Sequence, residues 1–290
     1  MLKILITDPL SEIGLNILKD AGFEILYKPK ILLDELSVLL PDIDGWIIRS
    51  GTKITSDLIK NSKKLQIIGR AGVGTDNIDI DCATKNGVIV MNVPDGNTVS
   101  AAEHTMALIL SLSRNICLGH TGLMNGEWNR SNLVGNELRN KTLGVIGLGK
   151  IGKEVIKRSL SYDMNILGYD PYVKKDQFSE DEVNIVELDY LVENSDFITL
   201  HLPINDNTRN LFNYDRINQM KKTARIINVA RGGIINEVDL ARALDNDIIA
   251  GAAIDVFENE PVSQDNKLIT AKNILHLATY SKGRGYLFYM

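Results

Sequence analysis

An apolar run beginning at Thr142 breaks on Gly147, and Gly149 and Gly152 complete a Gly-x-Gly-x-x-Gly spacing just before a helical pattern from Lys153 to Leu160. No other stretch restricts the fold so tightly, because it demands a buried strand, a turn and a helix in that order. Gly147 makes the tight turn, Gly149 lets a pyrophosphate approach the backbone, and Gly152 lets the helix pack close to the strand. The helix start, with Lys150 and Ile151, then faces the phosphates. Glycines also collect in ordinary turns, so the spacing needs a second feature, an acidic residue ending the next strand. Asn165-Ile-Leu-Gly-Tyr-Asp170 supplies it about 20 residues on, as a ribose partner requires. These features predict a dinucleotide site, and Asp170 argues for NAD over NADP because a carboxylate repels a 2'-phosphate.

A chain of 290 residues exceeds the size at which one hydrophobic core keeps growing, so two domains are expected. With 32 basic and 37 acidic side chains and no long run of either sign, a nucleic-acid partner is not expected. Cys82 and Cys117 lie far apart and offer neither a disulfide framework nor a metal-ligand spacing, which fits a reducing, cytoplasmic setting. His104 has no second metal-binding residue at helical spacing and reads as a structural histidine, so no metal site is expected. The apolar start of the chain reaches Asp8 at once, too short for a signal peptide. No run approaches the roughly 18 apolar residues of a membrane span, and no membrane partner is expected.

Short apolar runs alternate with amphipathic stretches along the whole chain. Strands are predicted near Lys3, Phe23, Gly45, Leu65 and Val88, and again near Thr142, Met164, Phe197, Arg225, Ile249 and Asn273. The fold class is therefore α/β, with two doubly wound parallel-sheet domains. Residues 1–96, with the tail 279–290, are expected to form a flavodoxin-like substrate domain, and residues 97–278 a Rossmann domain. Ligands of such sheets collect at the carboxyl ends of strands. Arg49 and Arg70 sit just past two such ends, and Gly72-Val73-Gly74 offers consecutive backbone N–H groups in a turn. Together they favour an anionic substrate. The pattern from Thr98 to Leu118 reads as one long helix too apolar to be an exposed linker, so it is expected to pack on the other domain or on a second subunit. Met106, Met124 and Trp128 read as packing residues.

Four stretches in order are similar to one family, the NAD-dependent D-isomer-specific 2-hydroxyacid dehydrogenases. They are Ile67-Ile-Gly-Arg-Ala-Gly-Val-Gly-Thr-Asp-Asn77, Val93-Pro-Asp-Gly-Asn-Thr-Val-Ser-Ala-Ala-Glu103, Ile227-Asn-Val-Ala-Arg-Gly-Gly233 and Ala253-Ile-Asp-Val-Phe-Glu-Asn-Glu-Pro261. The resemblance covers the chain to about Asn273. It implies that Arg231 holds the substrate carboxylate and polarises the reacting oxygen, with a histidine as acid or base and Glu260 as that histidine's carboxylate partner. Asp255 matches the contact to the nicotinamide carboxamide, and Pro171, Pro203, Thr208 and Val229 match residues lining the cofactor cleft. Arg49, Arg70, Val73, Gly74 and Asn97 match substrate contacts, and the arginine pair points to D-3-phosphoglycerate. Glycerate and glyoxylate stand as alternatives, because the same scaffold serves several acids. The helix from Thr98 resembles the family's dimer-forming helix and implies a homodimer.

The C-terminus departs from the family pattern, in which the catalytic histidine follows the last strand in a Pro-His-(Ile/Leu)-Gly stretch. Here the text is Lys272-Asn-Ile-Leu-His-Leu-Ala-Thr-Tyr-Ser-Lys282. With a short gap the histidine position falls on His276; without one it falls on Thr279. The family's final crossing helix and its regulatory extension have no counterpart before Met290, so the expectation is a truncated or frame-shifted end. On that basis impaired catalysis with retained cofactor binding is the alternative function.

Overall fold

The computed structural model describes residues 1–173, 178–179 and 182–278. The tail 279–290, expected to join the first domain, lies outside these residues, as does Thr279. Two compact units are present, one built from Met1–Asn97 and one that starts at Thr98.

The first unit runs β1 (Lys3–Ile6), α1 (Glu12–Asp20), β2 (Glu24–Tyr27), α2 (Leu33–Leu39), β3 (Gly45–Ile48), α3 (Ser56–Asn61), β4 (Ile67–Arg70), α4 (Ile80–Lys85) and β5 (Ile89–Asn92). Its strands are ordered β2-β1-β3-β4-β5 and every pair is parallel. The chain moves outward from β1 to β2, then returns to lay β3, β4 and β5 on the other side. The topological switch therefore falls between β1 and β3, the place where open α/β sheets bind ligands. One sheet face carries Leu5, Trp46 and Ile68 into a core with Leu36, Leu40, Ile59 and Ile78. Trp46 is fully buried, and its indole N–H donates to Thr7 Oγ1 at 3.0 Å, so the indole keeps a hydrogen-bond partner. The opposite face is also apolar, and on the edge strand Ile89 and Met91 remain 61% and 56% exposed.

The second unit begins with α5 (Thr98–Arg114) and α6 (Ile116–Met124), followed by β6 (Thr142–Ile146), α7 (Lys150–Leu160), β7 (Asn165–Tyr169) and β8 (Asn184–Ile185). It continues with α8 (Leu188–Asn194), β9 (Phe197–Leu200), α9 (Tyr214–Asn218), β10 (Arg225–Asn228), α10 (Glu237–Asp245), β11 (Gly251–Ile254) and β12 (Ile274–His276). The seven strands are ordered β12-β11-β10-β9-β6-β7-β8, again all parallel, with the switch between β6 and β9. Two packed clusters cover the two faces, which is why β9 and β11 are buried at every position and read as short runs that are apolar but for Thr199. The two-residue strand β8 gives no such run and escapes a sequence reading.

The helical pattern from Thr98 is not one helix. Asn115 adopts a left-handed conformation, φ 52°, and separates α5 from α6. The apolar side of α5, through Ala102, Met106 and Ile109, packs with Val155 and Ile156 of α7 inside the same unit. Its hydrophobicity is thus explained without a second subunit. Met124 and Trp128, read as packing residues, are instead 75% and 76% exposed.

Candidate functional site

The glycine turn has the geometry its spacing implies. Gly147 leaves β6 with φ 96°, and a Cβ there would lie 2.4 Å from the carbonyl oxygen of His201, which follows β9 across the switch. A Cβ on Gly152 would meet the carbonyl oxygen of Gly147 at 2.1 Å, so the third glycine is what lets α7 press onto the turn. Gly149 differs from both: a Cβ there would meet nothing within 4 Å. That open space lies at the N-cap of α7, where no side chain caps the first turn and Lys150 and Ile151 begin the helix. Room beside uncapped helical N–H groups fits a pyrophosphate. Asp170, just beyond β7, accepts the N–H of Leu148 on Oδ2 and that of Tyr172 on Oδ1, both at 2.9 Å. One carboxylate therefore holds the glycine turn and also shapes its own turn through Pro171.

Beyond β9, Thr208 Oγ1 donates to the Pro203 carbonyl at 2.7 Å and accepts from Asn205 N at 2.8 Å, which brings Pro203 and Thr208 into one tight loop. His201, at the start of this loop, places Nε2 3.1 Å from Thr199 Oγ1. Burial pushes its imidazole down to about 4, so the ring is neutral at pH 7.

Val229 to Gly233 follow β10. Asn228 Nδ2 donates to the Arg231 carbonyl at 2.9 Å and its Oδ1 accepts from Ala230 N at 3.0 Å, a side-chain-made turn that presents Arg231. Arg231 Nη1 donates to the Ala230 carbonyl at 2.7 Å. A Cβ on Gly232 would sit 1.9 Å from the carbonyl oxygen of Phe257, so this loop lies directly on the segment after β11. That segment carries Asp255, whose side chain is 1% exposed and whose Oδ2 lies 3.1 Å from His104 Nε2 on α5. His104 thus has a structural partner, and the partner is a predicted cofactor residue. Glu260 is exposed and its Oε1 accepts from Phe257 N at 3.1 Å.

His276 is the last residue of β12, exposed, and in register with Ile254. It makes no hydrogen bond or ion pair with Glu260 among the described residues. The other predicted residues of this unit cluster at the carboxyl ends of β6, β7, β9, β10 and β11. Sequence reasoning assigned no role to Asn228, though it stands in the run Ile227 to Gly233, and read His104 as a structural histidine with nothing local to mark Asp255 as its partner.

In the first unit Arg49 follows β3, Arg70 ends β4, and Val73 and Gly74 follow it, all at the carboxyl edge of the sheet. Arg49 Nη1 donates to the Pro9 carbonyl at 3.4 Å. Arg70 is only 5% exposed; its Nη1 occupies the position a Gly72 Cβ would crowd at 1.6 Å and donates to the Ala71 carbonyl at 3.5 Å. Gly72 therefore makes room for a guanidinium that has left the solvent. The Val73 carbonyl accepts from Asn92 Nδ2 at 2.7 Å. Asn97 closes this unit immediately before α5.

A doubly wound sheet with a glycine turn at its switch and an acidic residue after the second strand defines a dinucleotide-binding α/β protein. Residues 106–278 match the model of the D-isomer specific 2-hydroxyacid dehydrogenase, NAD binding domain, and the chain belongs to the D-isomer-specific 2-hydroxyacid dehydrogenase family. Among curated proteins it is 47% identical over 276 residues to a D-3-phosphoglycerate dehydrogenase of Methanocaldococcus jannaschii, covering 95% of this chain and 52% of that one. It is 45% identical over 270 residues to the D-3-phosphoglycerate dehydrogenase of Bacillus subtilis, covering 93% and 51%. The chain thus spans about half the length of these relatives. Among solved structures, an NAD-dependent formate dehydrogenase of Staphylococcus aureus in complex with NAD superposes with a TM-score of 0.84 at 32% identity, covering 97% of this chain and 89% of that one.

Proposed function

We propose that this protein oxidises D-3-phosphoglycerate to 3-phosphohydroxypyruvate with NAD, the entry step to serine biosynthesis. The observation that carries the reading is the 47% identity to a D-3-phosphoglycerate dehydrogenase over 95% of the chain. NAD, when bound, supplies the hydride acceptor. Gly147, Gly149 and Gly152 with the start of α7 receive the pyrophosphate, and Asp170 takes the ribose hydroxyls. Asp255, held against His104, keeps a fixed acceptor for the carboxamide. Arg231 grips the substrate carboxylate and the reacting oxygen, where its fork gives two parallel bonds. Arg49 and Arg70 read the phosphate. The hydroxyl proton leaves to a base at the end of β12, with His276 as the candidate and Glu260 as its partner.

We infer further that the protein works in the cytoplasm, in keeping with the free thiols of Cys82 and Cys117, and that it forms a homodimer. The apolar residues that α6 and its continuation leave in solvent, Leu118, Leu123, Met124 and Trp128, support a subunit contact there rather than through α5.

NADH formation with D-3-phosphoglycerate, D-glycerate and D-lactate tests the reading. Saturable activity with phosphoglycerate and at least ~10-fold lower kcat/KM for the others is expected, the discrimination a charged contact gives. Equal rates with all three acids would remove the phosphate role. A second reading, an NAD-binding protein with impaired turnover, is favoured by the absence of a hydrogen bond or ion pair between His276 and Glu260 among the described residues. It predicts NAD binding with no turnover of any acid.

A further inference from the structure

The turn from Arg49 to Thr52 is held by side chains that lie outside it. Asp8, 8% exposed and two residues past β1, accepts the N–H of Arg49 at 2.6 Å and that of Thr52 at 3.1 Å on one oxygen, Oδ2. Asn77 takes the other polarity: its Nδ2 donates to the Arg49 carbonyl at 2.7 Å and to the Thr52 carbonyl at 2.6 Å. The turn wraps the Asp8 carboxylate so closely that a Cβ on Gly51 would lie 2.3 Å from Asp8 Oδ1. Thr52 Oγ1 is tied 2.8 Å from Thr7 Oγ1, which also receives the buried indole N–H of Trp46. This network spans the β1/β3 switch, where the fold places ligands.

We propose that Asp8, together with Asn77, is a positioning residue that fixes the backbone from which Arg49 reaches the anionic end of the substrate. The proposal rests on the reading of Arg49 as a phosphate contact. An irregular turn makes no ladder hydrogen bonds of its own, so without these partners the main-chain groups of Arg49 and Thr52 would have to find water and the turn would sample many shapes. A buried carboxylate makes stronger bonds to N–H groups than a neutral acceptor does. Because Asp8 takes the N–H groups of Arg49 and Thr52, those two amides do not serve the ligand. The anion is read by the guanidinium, and its recognition depends on how firmly that side chain's root is held.

Two measurements on the full chain test this. Amide hydrogen exchange of the 49–52 segment should accelerate about 10-fold or more in Asp8→Ala, the loss expected when a charge-assisted hydrogen bond goes, while the β1 amides stay protected. The KM for D-3-phosphoglycerate should rise by a similar factor, about 10-fold, with the KM for NAD within about twofold. Asp8→Asn keeps an oxygen that can accept both N–H groups and should restore both readouts to within about threefold of the native protein. Asn77→Ala, which releases the carbonyl side of the same turn, should act as Asp8→Ala does and serves if that variant does not fold. Unchanged exchange in Asp8→Ala, or Asp8→Asn as damaged as Asp8→Ala, overturns the proposal, as does a KM for NAD that rises in step. Faster exchange supports the holding role even where Arg49→Ala leaves the phosphoglycerate KM unchanged, a result that would overturn the substrate reading instead.

Discussion

Arg231 is displayed by a turn that Asn228 builds from both ends of its amide. A lysine there would keep the charge and lose the fork. Arg231→Lys is therefore expected to lower kcat/KM by ~10- to 100-fold, the range for losing hydrogen bonds to a charged group. NADH affinity, read by fluorescence titration, should stay within a few-fold, and a parallel loss of both would contradict the role. His201 makes a separate prediction. Its folded imidazole lies near 4 against 6.5 for the unfolded chain, so the unfolded state binds the extra proton between those values. Stability from this residue is complete above pH 6.5 and lost as the pH falls toward 4, at most roughly 3 kcal/mol because the residue is partly accessible. The urea midpoint should fall more steeply over that window in the native protein than in His201→Gln. These residues differ in legibility. Arg231 stood in a recognisable motif, whereas His201 belongs to none of the motifs read from the sequence. Its neutrality, like the His104 pairing with Asp255, arises from atoms brought together by folding.

The glycine turn shows the element scale at its clearest, since three identical residues meet three different surroundings. Gly152→Ala drives a methyl into the Gly147 carbonyl oxygen and should cost about 1–3 kcal/mol of stability as overpacking. Gly149→Ala meets empty space at an ordinary φ of -71°. It should leave the thermal midpoint close to native and weaken NAD binding by ~10-fold or more, because the methyl takes room the pyrophosphate needs. Thermal melts with and without NAD separate the two. The order strand, turn, helix and the acidic residue after β7 were legible because each has a local chemical requirement. Other elements were less so. The run Thr98 to Leu118 kept a helical period across Asn115, and period alone cannot register one left-handed residue. A strand near Val88 was legible but not its place at the sheet edge: an edge strand has one neighbour, and alternation puts Ile89 and Met91 on a face left open among the described residues. The two residues of β8 are too few to carry any period.

For the molecule as a whole, the exposed apolar residues after Asn115 make assembly the property to measure. Trp128→Ser with Leu123→Ser should shift the protein from dimer to monomer in sedimentation at micromolar concentration; a monomeric native protein would remove the dimer from the reading. Both sheets are parallel at every described pair, and among the described residues no strand is joined to its partner by a hairpin. Each ladder forms only after a crossover of a dozen or more residues has closed, which places most of the chain-ordering cost ahead of the contacts that offset it. Such a chain refolds slowly and leaves strand edges unpaired for long intervals, so its yield on dilution from denaturant should fall as protein concentration rises.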